Sequence, residues 1–299
     1  MAQGTIQQKQ EESAPLAGPR LELLLLEFAV CAMAGAIGNF DTLGRAILFA
    51  AAARACGPYE LPSARAGRPV SVNALAASLR RPFETTRRNA NALLASGLLA
   101  RAENGLYVPL QAVADGRAAA FGDHCHDLLV RLIEDADATN LALPPTRPNI
   151  AYDPRGGVGI AFDLLLAGFE CRDGDDRNLV RIALLTTVEW TNTRFGHRID
   201  GRTRPVPAKP SVIARILGLP YATAARNIEA LVAQGALVRS ADGLLIPDDR
   251  LSSAESIEAR LALANRARQL LGRLGQAGFP MHQPAMGYIR ARPPLPLPG

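Results

Sequence analysis

The residues best suited to chemistry are His124-Cys125-His126, flanked by Asp123 and Asp127. A structural metal site needs about four converging ligands. Two histidines two positions apart point to different faces of a helix, and no matching second set occurs. The cluster therefore reads as polar residues on a helix surface. Asp173, Asp175 and Asp176 have the acid density of a Ca²⁺ loop but lack its terminal bidentate Glu. Helix capping accounts for them better. Gly156-Gly157-Val158-Gly159 follows no strand pattern and has no P-loop lysine. Trp190 and Glu189 fall on an apolar stretch, which suits core packing. There is no nucleophile elbow and no HExxH. The sequence thus calls for no catalytic residue, no metal and no cofactor, and an enzyme is the least favoured class.

Arginine is what remains. The 299 residues hold 33 cationic side chains against 28 acidic ones, a net charge of +5, and only Lys9 and Lys209 are lysine. The surplus is localised. Residues 57–112 carry seven Arg against three acids, and 194–250 carry nine Arg or Lys against five. The rest of the chain is net acidic. Two separate regions are thus suited to a polyanion. Within them, Arg65, Arg68, Arg194, His197, Arg198, Arg202, Arg204 and Lys209 stand in loops from which they can reach phosphates.

These two regions repeat each other. Shifted by 138 positions, 71–109 aligns without gaps on 209–247, with 15 of 39 residues identical. The matches include Pro82/Pro220, Thr85/Thr223, Arg88/Arg226, Asn89/Asn227, Gly97/Gly235, Arg101/Arg239 and Gly105/Gly243. A period this long indicates one duplicated domain and not a solenoid.

In each copy the periodicity predicts a short helix, a break and a second helix. The break is Arg80-Arg81-Pro82-Phe83 in the first and Gly218-Leu219-Pro220 in the second. The second helices run over 84–96 and 222–234 and stop at Gly97 and Gly235. Two short strands follow around Asn104-Gly105 or Asp242-Gly243, strong hairpin signals. The segments Leu79-Arg-Arg-Pro-Phe-Glu-Thr-Thr-Arg-Arg-Asn…Leu93-Leu-Ala-Ser-Gly-Leu-Leu and Leu217-Gly-Leu-Pro-Tyr-Ala-Thr-Ala-Ala-Arg-Asn…Leu231-Val-Ala-Gln-Gly-Ala-Leu-Val carry a resemblance. The order and these residues resemble the winged helix-turn-helix transcriptional regulators of bacteria, of the broad MarR/IclR/GntR kind. The likeness spans about forty residues per copy and does not reach a subfamily. It implies that each second helix enters the DNA major groove. The implied contacts are Arg81, Glu84, Thr85, Arg87 and Arg88 in the first copy, and Thr223 and Arg226 in the second. Arg101 and Arg239 on the wings, with Arg202, Arg204 and Lys209, would meet the DNA backbone. Glu84, Thr86 and Arg87 become Ala222, Ala224 and Ala225, so the second copy offers fewer base-reading groups.

The remaining chain must position these modules. Helical stretches at 21–37 and 41–55 precede the first, and 160–171 and 176–192 precede the second. Stretches at 112–138 and 252–277 follow them. The fold expected is mainly α: two duplicated winged helix-turn-helix modules on an all-helical scaffold with an internal pseudo-two-fold. Its parts are a disordered 1–19, a first repeat 20–140, an exposed linker 141–158, a second repeat 159–278 and a Pro-rich tail 279–299, extended at its end. Leu21–Gly38 carries Glu22 and Glu27 and reads as a buried helix, so no membrane segment is expected. Four scattered cysteines without a CxxC suit a reduced, cytoplasmic, nucleoid-associated protein.

The function expected is sequence-specific double-stranded DNA binding in transcriptional regulation. A plasmid-type replication initiator and a winged-helix protein-interaction module are the alternatives. A small-molecule effector between the scaffold lobes and a homodimer are open as further partners.

Overall fold

The computed structural model describes residues 16–59, 68–114, 116–171, 178–199 and 202–296; the side chains of 197–199, 202 and 203 are not described. It is mainly helical, with three two-stranded antiparallel hairpins among the described residues.

Helix α1, Pro19–Phe40, is the central element. Proline at its first position suits a helix start. Buried side chains occur all round it, including Leu21, Phe28, Val30, Met33 and Phe40. It is long and apolar enough to span a bilayer, yet 61% of its apolar window is buried against other helices. A core helix meets this description. Asp41, in a left-handed conformation, ends α1 at φ 62°, and the Thr42 hydroxyl caps α2, Leu43–Cys56.

The first module follows as α3 (Val72–Ser78), α4 (Phe83–Ala95), β1 (Ala100–Ala102) and β2 (Gly105–Tyr107). Then come α5 (Leu110–Ala114) and α6 (Gly116–Ala138), which lies along α1. The second half repeats the order: α7 (Pro154–Glu170), α8 (Leu179–Arg194), a hairpin β3 (His197–Ile199) and β4 (Arg202–Arg204), then α9 (Pro210–Leu217), α10 (Tyr221–Ala233), β5 (Val238–Ser240) and β6 (Gly243–Leu245). Helices α11 (Asp248–Leu251) and α12 (Ala254–Gln276) complete it.

One hydrophobic core runs through both halves. Phe121 packs edge-on to Phe40 at 5.4 Å and stacks on Phe162 at 5.5 Å, which joins α1, α6 and α7. Asp163 of α7, almost wholly buried, is paired with Arg54 of α2 and Arg273 of α12. Trp190 is fully buried against Phe195, as core packing requires.

Four expectations need correction, one of them only in part. The tail is not a loose end. Phe279 and Met281 are buried, and the Asp127 carboxylate accepts backbone N–H bonds from Ile289, Arg290 and Ala291 at 2.8, 3.0 and 3.3 Å. Arg292 adds ion pairs to Glu134 and Asp135. The segment 141–158 is exposed at 147–151 and 153–155, as expected of a linker, but it is tied down and not loose. The Thr146 hydroxyl donates to Phe279 O and the Arg147 N–H to Gly275 O, and 154–158 form the first turn of α7, capped by Asp153.

His126 and Cys125 are not on the surface. Both are fully buried, and His126 Nε2 lies 2.7 Å from the Tyr152 hydroxyl. His124 turns instead toward the Cys31 carbonyl on α1. The i, i+2 spacing thus sends the two rings to different faces, but both faces are covered. Gly157 is required there: a Cβ would lie 1.9 Å from the Tyr152 oxygen. Lastly, the stretch before the second module is a hairpin and not a loop, with His197 opposite Arg204. Residues 1–15, Arg65, Asp173, Asp175, Asp176 and 297–299 lie outside the described residues.

Candidate nucleic-acid interface

Each module is built by the same backbone devices at an offset of 138. The turn after the first helix closes by a six-residue bond, Arg81 N–H to Ala76 O at 2.9 Å and Leu219 N–H to Ala214 O at 2.9 Å. The turn needs a left-handed residue, supplied by Arg80 at φ 50° and by Gly218 at φ 65°. Pro82 and Pro220 then start the second helices with extended backbones and accept from the N–H groups of Thr86 and Ala224.

The wings are held by a third short segment. Val70 bridges Leu106, and Ala208 bridges Leu244, through paired main-chain bonds of 2.8–3.0 Å. This explains the repeated glycines. Gly105 and Gly243 are the first residues of β2 and β6 at φ 146° and 152°, and a Cβ would lie 2.6 Å from Val70 O or 2.8 Å from Ala208 O. The Asn104-Gly105 step, a hairpin signal in the sequence, is not the turn itself. The turn is instead Glu103–Asn104, because Ala102 pairs with Gly105.

The second helices are amphipathic. Thr86, Ala90 and Leu93 of α4 are buried, as are Ala224, Ile228 and Leu231 of α10. The repeated asparagines tie these helices to the scaffold. Asn227 donates to Thr223 O at 2.9 Å and accepts from Asn178, the N-cap of α8, at 3.4 Å. Asn89 lies against Gly44 at the start of α2. Their identity in the two copies reflects positioning.

The outward faces hold most of the expected reading residues. Glu84, Thr85, Arg87 and Arg88 are exposed together on α4. They form one ion-paired group: Glu84 accepts from Arg87 Nε and Nη2 at 2.9 and 2.8 Å, and from Arg88 Nε at 3.3 Å. These bonds hold the Glu84 carboxyl down at about 2. The carboxylate and two guanidinium groups leave one net positive charge. On α10, Arg226 is exposed and Thr223 half-buried. On the wings, Arg101 and Arg239 are both exposed, but Arg239 is ion-paired to Glu229 of α10. The residue equivalent to Glu229 is Asn91, so that pair has no counterpart in the first module.

Lys209 and Arg204 are exposed at the approach to the second module; the Arg202 side chain lies outside the described residues. Arg81 does not join the exposed set. It is half-buried, as is its counterpart Leu219.

Two residues on these faces were missed. Phe83 and Tyr221, the equivalent first residues of α4 and α10, are 47% and 59% exposed. Large aromatics at matched surface positions are unusual, and the repeat alignment itself marks them. Among the described residues no group of three His, Cys, Asp or Glu could hold a metal ion.

Comparison of the chain with protein-family models, with curated proteins and with solved structures finds no match.

Proposed function

We propose that the chain is a sequence-specific double-stranded DNA-binding transcriptional regulator with two winged-helix modules. The observation that carries this reading is the matched exposure of α4 and α10. Each is backed on one side by its own module and scaffold, and presents Thr and Arg, with an aromatic at its start, on the other. A helix presented this way fits a major groove, where Arg bonds guanine edges and an aromatic can touch a thymine methyl. The basic surplus of the two module regions adds attraction to phosphate. Regulation is stoichiometric: the bound chain blocks or recruits polymerase. The protein acts in the cytoplasm, at the nucleoid.

The modules divide the work. The first, with Glu84, Arg87 and Arg88, reads bases. The second, whose wing arginine is already paired to Glu229, mainly fixes position, and its Tyr221 also suits a docked protein.

The test is binding of the full chain to random-sequence duplexes at several salt concentrations. Arg87→Ala, Arg88→Ala and Arg226→Ala should each cost about 1–3 kcal/mol and relax sequence preference. Equal binding of all variants to all sequences would remove this reading.

A further inference from the structure

A cleft of about 550 Å³ opens between the first half of α1, the end of α6, the end of α8 and the C-terminal tail. Its volume is in the usual range for small-molecule sites. Four guanidinium groups line it, those of Arg20, Arg131, Arg194 and Arg292, against the carboxylates of Glu27 and Asp135. The lining groups sum to two positive charges, one of which is offset by Glu134, the ion-pair partner of Arg292 beside the cleft. Leu23 and Leu24 give it an apolar floor.

The arginines are held but not saturated by their known partners. Arg20 donates Nη1 to Thr139 O at 2.9 Å, and Arg194 meets Glu27 through Nε at 3.1 Å. A guanidinium carries five N–H donors, so both retain forks that match a carboxylate. An inorganic anion would use the arginines and leave the leucines idle. A hydrocarbon acid would use both.

We propose that this cleft binds a small organic carboxylate, its charge on Arg20 and Arg194 and its hydrocarbon body on Leu23 and Leu24. Arg194 is the last residue of α8. A ligand carboxylate there competes with Glu27, which anchors that helix end. Two residues earlier, Asn192 donates to Val206 O at 2.7 Å and Leu244 O at 3.1 Å, which joins the same helix end to the second wing. The ligand would therefore alter how the second module is held. Any effect on duplex binding rests on the function proposed above; binding of the acid does not.

The experiment is titration calorimetry of the full chain with sodium octanoate, acetate and inorganic phosphate, without duplex. Saturable one-to-one binding of octanoate is expected, at least tenfold tighter than acetate or phosphate. Arg20→Ala, on the exposed rim, and Leu23→Gln, on the floor, should each weaken it tenfold or more. Two variants are used so that loss of fold in one, checked by circular dichroism, leaves the other decisive. Absence of saturable heat, phosphate binding as tight as octanoate, or wild-type binding by a folded variant overturns the proposal. A chain that takes octanoate but ignores duplex DNA refutes only the regulator reading.

Discussion

Arg80 and Gly218 occupy equivalent turn positions and share a left-handed backbone, although only one of them is glycine. A side chain in this conformation costs about 1–2 kcal/mol, offset in part by the greater unfolded-state entropy of glycine. Arg80→Gly should therefore stabilise the chain, by up to about 1 kcal/mol. Gly218→Ala should destabilise it by about 1 kcal/mol. Its new Cβ would meet Ile37 Cγ2 at an ordinary 3.9 Å, so conformation alone sets the cost. Urea midpoints decide the matter; a neutral Gly218→Ala would count against it.

Gly105 and Gly243 carry a heavier constraint. Each would direct a Cβ into a main-chain carbonyl, and main chain cannot swing aside as a side-chain end can. Gly105→Ala and Gly243→Ala should each lose about 2–3 kcal/mol. Loss of amide protection in the Val70 or Ala208 bridge, read by hydrogen exchange, would localise the damage to the altered wing.

The tail should respond to acid. Burial pushes the Asp127 carboxyl up, but His126 and the N–H groups of Ile289, Arg290 and Ala291 outweigh it and leave it below its ordinary 3.8. A lowered folded value means the stabilisation is present above pH 3.8 and is lost as pH falls through the folded value. Proteolytic cleavage within 288–293 should therefore appear only below that range. In Asp127→Ala, three main-chain donors in part-buried hydrogen bonds lose their acceptor, and cleavage should appear at neutral pH. A tail equally resistant in both proteins would refute the assignment.

Under the DNA-binding reading the two wings should differ. Arg101→Ala should weaken duplex binding more than Arg239→Ala, because Arg239 is already engaged by Glu229. Glu229→Ala should strengthen binding by releasing that guanidinium. Phe83→Ala and Tyr221→Ala should leave the melting temperature within a degree or two while weakening binding, since both rings are largely exposed. Tighter binding by Arg239→Ala than by Arg101→Ala is expected; the reverse order would contradict the geometry.

The modules were legible because their signals are local. Helix period, Pro at a helix start and Gly at a stop act within a few residues, and the offset of 138 supplied each signal twice. The buried His126 and the docked tail depend on partners far apart in sequence, such as Asp127 and Ile289, and no local pattern reports them. Proline-rich composition at 291–299 reads as an extended end, yet a single buried carboxylate holds Ala291 and the two residues before it in place. The β3–β4 hairpin is a different case. Asp200-Gly201 stands between its strands in the sequence, the same signal as Asp242-Gly243, but it lies in a polar, arginine-rich stretch whose composition is that of a loop. In the candidate site, exposure could be foreseen from period, whereas the pairing of Glu84 with two arginines needed rotamers.

Because one continuous core serves both halves, with α1 touching α6 of the first and α8, α9 and α12 of the second, the repeat does not make two tethered units. The distance between the two modules is set by the interior of the protein. Lengthening a connector would not change it, whereas a single large-to-small change on α1 would be felt in both modules at once.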